Sequence, residues 1–300
     1  MLPDLSLSLL RQESRTCHGP VPTSVGGVVV PPGCSHLADG EFLLRADETL
    51  AFHYARGRGI TVERGAGADP VSENLWLNGS VYAAMAAING FMPIHASAVE
   101  HGGRAIAFTG PSGAGKSTLI AALGRRGLPM VCDDTLVLDI AGEAGIIAMP
   151  GHKRLKLAPA SLALTGTQPQ EPVGAETGKY YVAPPAGDWQ QPLPLGALIF
   201  LENSDDVSIR HITGAERFTR LQDDHYTANL FALAGAFTPA KLFALRARLA
   251  QAIPMLCFSR PRDESRFAET TDAIAQAIAR GLAVKPETGE DAGDTTGQKR

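Results

Sequence analysis

Eight consecutive residues, Gly110, Pro111, Ser112, Gly113, Ala114, Gly115, Lys116 and Ser117, complete the pattern G-x-x-x-x-G-K-S/T. Each position has a chemical use. Glycines admit backbone conformations closed to other residues, so successive N–H groups can turn into one concavity that wraps a polyphosphate. A helix starting at Lys116 adds its own unpaired N–H groups and its dipole. Lys116 supplies a point positive charge between the β- and γ-phosphates, and the Ser117 hydroxyl is placed to ligate Mg²⁺, with Thr118 as a second, weaker hydroxyl. The alternative is a glycine-rich turn ahead of an ordinary amphipathic helix. No N-K-x-D element is present to read guanine and no L-S-G-G-Q-like signature follows, which argues against a GTPase of the usual kind and against a transporter ATPase. A nucleotide kinase stays open on the loop alone.

Two acids follow. The apolar run 128–132 (LPMVC) leads directly into Asp133 and Asp134. An apolar strand ending in acid, returned beside the loop-bearing strand by a right-handed crossover, presents a carboxylate to a metal or its water shell. Adjacent acids can divide the work, one holding Mg²⁺ and the other accepting a proton from an incoming hydroxyl. They can also simply open a turn. Upstream, IHASAV (94–99) and Gly102-Gly103 predict a hairpin that sets His95 at the start of a strand next to the loop-bearing one, either as a hydrogen-bonded structural residue or as part of the chemistry.

The positioning elements are legible around these residues. AIAFT (105–109) reads as a short buried parallel strand, and 116–126 carries Leu119, Ile120 and Leu123 at helical spacing with Gly127 as the stop. Asp69-Pro70 opens an earlier helix, with Leu75, Val81, Met85 and Ile88 as its buried stripe and Gly90 at its end. Runs 135–140 and 146–149, joined at Gly142-Glu143, predict another hairpin. LIFL (198–201) and MLCF (255–258) suit further central strands, separated by a helical stretch at 215–234 and a helix opened by Thr238-Pro239. Glu202 either reaches the metal shell or merely ends its strand. The last helix, 263–280, places Phe267, Ile274 and Ile278 on one face and stops at Gly281. In GHKRLKL (151–157), Lys153 or Arg154 reaches the phosphates or an acidic acceptor, or the segment is a solvated strand face. The Pro-, Gly-, Thr- and Gln-rich stretch 158–191 predicts a long mobile excursion of the kind that serves as a lid, with Lys179 either closing on the γ-phosphate or an ordinary surface lysine.

HASAV at 95–99, GPSGAGKST at 110–118, the spacer to Arg125-Arg126-Gly127 and the strand ending Cys132-Asp133-Asp134 together resemble the catalytic domain of HPr kinase/phosphorylase. They resemble more closely the HPr kinase-related kinases, which include kinases of serine on lasso-peptide precursors. The resemblance is firmest over residues 72–157. It implies an α/β P-loop kinase core of the HPr kinase C-terminal-domain type, binding of ATP and Mg²⁺, and activation of an acceptor serine by a carboxylate assisted by the histidine. Carried across, Asp133 is the base, His95 its partner, Lys116 the phosphate-binding lysine, and Asp134 with Ser117 the metal side. Two departures separate the chain from the bifunctional enzymes: Thr118 stands where Glu usually follows G-K-S, and no E-I/V-R-G-L/M-G-I signature is present. The acceptor this implies is a peptide or small protein bearing serine. A small-molecule kinase and an ATP-binding regulatory module without efficient transfer are the other readings.

Composition sets the remaining bounds. The 300 residues carry 27 Lys and Arg against 31 Asp and Glu, a formal net charge of −4, which argues against nucleic acid as the principal partner. No apolar run approaches the roughly 18–20 residues needed to cross a bilayer. The start, MLPDLSLSLLRQ, lacks the order of a secretory signal, so cytoplasmic residence is expected. Cys17, Cys34, Cys132 and Cys257 are scattered and predict reduced thiols rather than a metal site. Short runs at 5–10, 25–30, 42–45, 50–54 and 60–63 predict a β-rich N-terminal portion over 1–70, ahead of a kinase domain over 71–284 and a polar, disordered tail over 285–300. Homo-oligomerisation stays open.

Overall fold

The computed structural model describes residues 3–38, 40–142, 144–151, 154–174, 177–222 and 238–282. The chain starts with a helix, α1 (Pro3–Glu13), where the alternating leucines and serines of 5–10 predict a strand. Helical spacing wins because Ser6, Leu7, Leu10 and Glu13 then share one buried face, while Leu5 is left in solvent. The strands β1 (Thr16–His18), β4 (Cys34–Ala38), β5 (Glu41–Arg45), β6 (Leu50–Ala55) and β7 (Gly59–Arg64) form a sheet ordered β1-β7-β6-β5-β4. It is antiparallel except for the β1–β7 pair. A small ribbon, β2 (Ser24–Val25) with β3 (Val28–Val29), packs beside it.

Asp69 caps α2 (Pro70–Trp76) by accepting from the N–H groups of Val71 and Ser72. One π-helical stretch, Leu77–Val81, joins α2 to α3 (Tyr82–Ile88). All seven residues of α3 are buried rather than one stripe, as suits a helix held between two sheets.

The larger sheet holds β8 (Met92–Ile94), β9 (Ala96–His101), β10 (Arg104–Thr109), β11 (Met130–Cys132), β12 (Leu136–Asp139), β13 (Ile147–Met149) and, further along, β16 (Leu193–Asn203), β17 (Ser208–His211) and β18 (Met255–Arg260). Its main path runs β11-β9-β10-β16-β13-β12-β8, with β18 parallel to β16 and β17 antiparallel to β18. One expectation is corrected here. β11 does not lie beside β10; β9 is inserted between them, antiparallel to both. The strand that follows His95 therefore lies between the strand that leads into the glycine loop and the strand that leads into the acid pair.

Between β10 and β11 runs α4 (Lys116–Gly124). The excursion at 158–191 carries more structure than its composition predicts: α5 (Pro159–Thr165) and β15 (Tyr180–Val182), which pairs antiparallel with β14 (Leu155–Leu157). Burial of Val182 with Leu155 and Leu157 in one apolar cluster holds β15 to the strand expected at 151–157, an anchor that the loop-like composition of 158–191 hides. Toward the C-terminus lie α6 (Glu216–Arg220), α7 (Pro239–Ala252), a 3₁₀ turn at Glu264–Arg266 and α8 (Phe267–Ala279). The rest of the helix expected at 215–234, beyond residue 222, lies outside the described residues, as do Glu143, Lys153 and the tail expected at 285–300.

Period-two alternation in β10 divides the core. Ile106 and Phe108 pack with Leu119, Leu123, Ile274 and Ile278 under α4 and α8. Ala105 and Ala107 face the other way, into a cluster that runs through α3 to Phe42, Phe52 and Tyr54 of the N-terminal sheet. Among the described residues no helix is long and apolar enough to cross a membrane.

Candidate active site

β10 ends at Thr109 and α4 begins at Lys116, so the glycine octet is the connection between a buried strand and a helix. Gly115 is the helix N-cap, at φ +86°, a left-handed conformation costly to a residue with a Cβ. The loop also runs close to Arg260 there: an added Cβ would stand 2.8 Å from Arg260 Nη2, so the guanidinium would have to shift. Pro111, Ser112 and Gly113 are exposed at the loop's crest. Lys116 is buried, and its ammonium donates to the carbonyls of Gly110 at 2.8 Å and Pro111 at 3.1 Å, folding over the loop's mouth. The Thr118 hydroxyl meets Ser161 Oγ at 2.8 Å and so ties α4 to α5.

Asp133, just past β11, is 1 % exposed. Its Oδ1 accepts from Ser97 Oγ at 2.7 Å and from Ser117 Oγ at 2.9 Å, while Oδ2 is buried with no hydrogen-bond partner. Burial pushes the Asp133 carboxyl above the ordinary aspartate range; the two serine hydroxyls oppose that, the charge of Asp134 adds to it, and the Lys156 ammonium opposes it. Asp134 sits at φ +69°, unusual for a non-glycine residue. That turn of the backbone sends its side chain the other way, to His95: Nδ1 of the ring lies 3.1 Å from Asp134 Oδ1 and 2.9 Å from the Asp134 carbonyl oxygen. Both partners are acceptors, so Nδ1 carries a proton and donates to them.

The histidine pairing thus differs from the one the resemblance implies. His95 is partnered by Asp134, and Ser117 by Asp133. Insertion of β9 is the physical cause, since Ser97, two residues after His95, reaches between the acids, donating to Asp133 and accepting from the Asp134 N–H at 3.3 Å. Sequence reasoning passed over Ser97, although its same-face spacing from His95 was visible in IHASAV. Lys156, expected only as one of the basic residues of 152–156, is the member of that run whose charge acts on Asp133. Arg154, expected near phosphate, is engaged within its own segment: it pairs with Glu171, donates to Gln170 Oε1 at 2.9 Å and lies 4.2 Å over the Tyr181 ring. Lys179 is exposed just before β15 and lines neither cleft described below. Glu202 is paired with Arg220, which also binds Glu216.

One cleft borders this constellation and a second is lined by Lys156 and its segment. One of about 380 Å³ runs under the loop's edge, with Ile94, Thr109, Gly110, Phe200, Arg220 and Arg262 in its lining. The other, of about 750 Å³, is bounded by Asn74 and Asn78 on one side and by Arg154, Lys156, Glu171 and Tyr181 on the other. Asn78 belongs to the π-helical stretch, a local irregularity that recurs at functional sites. Lys156 is common to this cleft and to the electrostatics of Asp133.

No family model matches the chain, and no curated protein matches it. Among solved structures, the Hpr(Ser) kinase/phosphatase from Coxiella burnetii is similar at 12% identity and a TM-score of 0.34, over 64% of this chain and 90% of that chain. The likeness is remote.

Proposed function

We propose that the chain is an ATP-dependent P-loop kinase that transfers the γ-phosphate to a serine hydroxyl of a peptide or small protein. The observation that carries the reading is the division of two adjacent acids between two partners: Asp133 with the Ser117 hydroxyl at the start of α4, and Asp134 with His95. Binding alone needs only the loop, whereas a histidine held in one tautomer by a carboxylate is the arrangement of a general base.

The donor set fits Mg²⁺. A single buried carboxylate with an orphaned Oδ2 beside a serine hydroxyl matches a cation that takes few protein ligands and completes its shell with phosphate oxygens and water. Among the described residues no cluster of three or more His, Cys, Asp or Glu forms an all-protein cage. Bound by Ser117 and Asp133, Mg²⁺ would neutralise charge on the β- and γ-phosphate oxygens. The chain's own residues do the rest. Loop N–H groups and Lys116 hold the phosphates in place. As the acceptor oxygen bonds to the γ-phosphorus and the bond to the β–γ bridging oxygen breaks, the acceptor proton passes to His95 Nε2. The Asp134 carboxylate, hydrogen-bonded at Nδ1, stabilises the imidazolium. On this reading Asp133 is the metal-side acid and Asp134 the partner of the base.

The 750 Å³ cleft has room for an extended acceptor, and Lys156, which lines it, carries a charge that also acts on Asp133. Residues 71–284 form the catalytic part and 1–70 a supporting layer of a cytoplasmic enzyme. The test is incubation of the protein with MgATP and serine-containing peptides, with ADP release and peptide mass both followed. One phosphate ester on serine, formed in step with ADP, is expected. Turnover raised by a sugar or nucleoside and by no peptide indicates a small-molecule kinase instead, and ATP binding without transfer to any acceptor indicates a regulatory module.

A further inference from the structure

Arg260, at the end of β18, is 9 % exposed and lies beneath the glycine loop. Its Nη2 donates to the Ala114 carbonyl at 2.8 Å, and the same atom stands 2.8 Å from where a Cβ on Gly115 would be. Its Nε is buried with no hydrogen-bond partner, and the guanidinium carbon is 5.9 Å from the centre of the Phe258 ring. Burial pulls its pKa down and the like charge of Arg262 adds to that, with no carboxylate among the described residues acting the other way. A cation taken out of water without a counter-charge is costly to the fold. This arginine nonetheless lies against the glycine loop, whose composition suits an anion.

In a trans peptide unit the carbonyl and the following N–H point in opposite directions. Arg260 holds the Ala114 carbonyl from below, so the Gly115 N–H is aimed away from it, toward the concavity of the loop. The left-handed backbone at Gly115 favours glycine, and the absence of a Cβ leaves the guanidinium room to lie against this peptide. Resting on the reading of this loop as a nucleotide site, we propose that Arg260 is a positioning residue for the polyphosphate: it sets the 114–115 peptide for binding and supplies a buried positive charge that the bound phosphates offset. The adenosine part takes no share in this interaction. Arg260 thereby trades stability of the empty protein for affinity.

Arg260→Met and Arg260→Lys test this beside the wild type, by thermal unfolding without ligand and by calorimetric titration with MgATP, MgADP and AMP. Without ligand, Arg260→Met is expected to unfold at the wild-type temperature or above it, because the uncompensated cation is gone. Its affinity for MgATP and MgADP is expected to fall about tenfold, the scale of one charge-assisted contact, with AMP changed far less. Arg260→Lys recovers part of the loss, since it keeps the charge without the planar fork. In turnover the change appears mainly in KM for ATP. Wild-type MgATP affinity in Arg260→Met overturns this proposal and leaves the nucleotide reading standing. Failure of Arg260→Met to fold also overturns it, because the guanidinium would then be a structural support rather than a cost. Absence of MgATP binding by the wild type overturns the nucleotide reading, and this proposal with it.

Discussion

Glu13 in the N-terminal layer and Asp133 at the central sheet are both carboxylates removed from water, at 4% and 1% exposure. Glu13 Oε2 accepts from the Tyr54 hydroxyl at 2.6 Å and from the Gly57 N–H at 2.9 Å, and its Oε1 accepts from the same N–H at 3.2 Å. Asp139 is treated the same way, by Ser6 Oγ at 2.7 Å and the Gly142 N–H at 3.1 Å, one on each oxygen. Asp133 instead receives both of its hydrogen bonds on Oδ1, and Oδ2 is left without one. Buried polar groups are almost always paired in folded proteins, so the exception calls for a reason. In the N-terminal layer the carboxylate locks α1 onto the sheet. At the central sheet the under-bonded carboxylate sits among Ser117, Ser97 and Lys156, where a bound cation would complete it.

The largest effect expected is at the loop. Lys116→Ala removes a charged phosphate ligand, and phosphate transfer should fall below detection while the far-ultraviolet circular dichroism stays that of the wild type. Next come the residues assigned to proton transfer. His95→Ala and Asp134→Asn should each lower kcat by roughly 10² to 10⁴ with ATP affinity nearly unchanged, and the double variant should lose little more than either alone, since the two act as one unit. A full multiplication of the two losses would show that they act separately.

On the structural side of the comparison, Glu13→Gln weakens charge-assisted hydrogen bonds to Tyr54 and Gly57. It should cost about 2 kcal/mol in denaturant unfolding while leaving kcat and KM alone. The smallest effect is on stability against pH. Asp133 is raised above the aspartate value of 3.8, so between that value and its folded pKa the folded state binds more protons than the unfolded chain. Wild-type stability from this group therefore falls as pH rises through that window. Asp133→Asn carries no such slope, and its stability relative to wild type should grow from about pH 4 upward and then level off, as read by unfolding at a series of pH values.

Much of this site could be read in the chain. The octet 110–117 lies between a strand and a helix as its flanks predict, because short apolar runs and Leu119, Ile120 and Leu123 at helical spacing act locally. Thr238 caps α7 and Asp69 caps α2 for the same reason: a cap needs only its next few residues. What escaped was non-local. Insertion of β9 between β10 and β11 is a property of sheet order, and with it went the pairing of His95 with Asp134 and the part of Ser97. Arg260 reads as a polar strand end until the strand is placed under the loop, 146 residues away in sequence. The helix at 3–13 escaped because leucines and serines alternate there with period two, and only burial of Leu7, Leu10 and Glu13 together tips the balance.

The contrast between the two buried acids is tested most directly by measuring MgATP-dependent phosphate transfer and unfolding temperature together in Asp133→Asn and Glu13→Gln. Asp133→Asn should lose transfer at millimolar Mg²⁺, regain part of it as Mg²⁺ is raised, and unfold at or above the wild-type temperature. Glu13→Gln should unfold earlier and transfer phosphate as the wild type does. Full transfer in Asp133→Asn at ordinary Mg²⁺, together with a lowered unfolding temperature, would make Asp133 one more structural acid and contradict the assignment of the site.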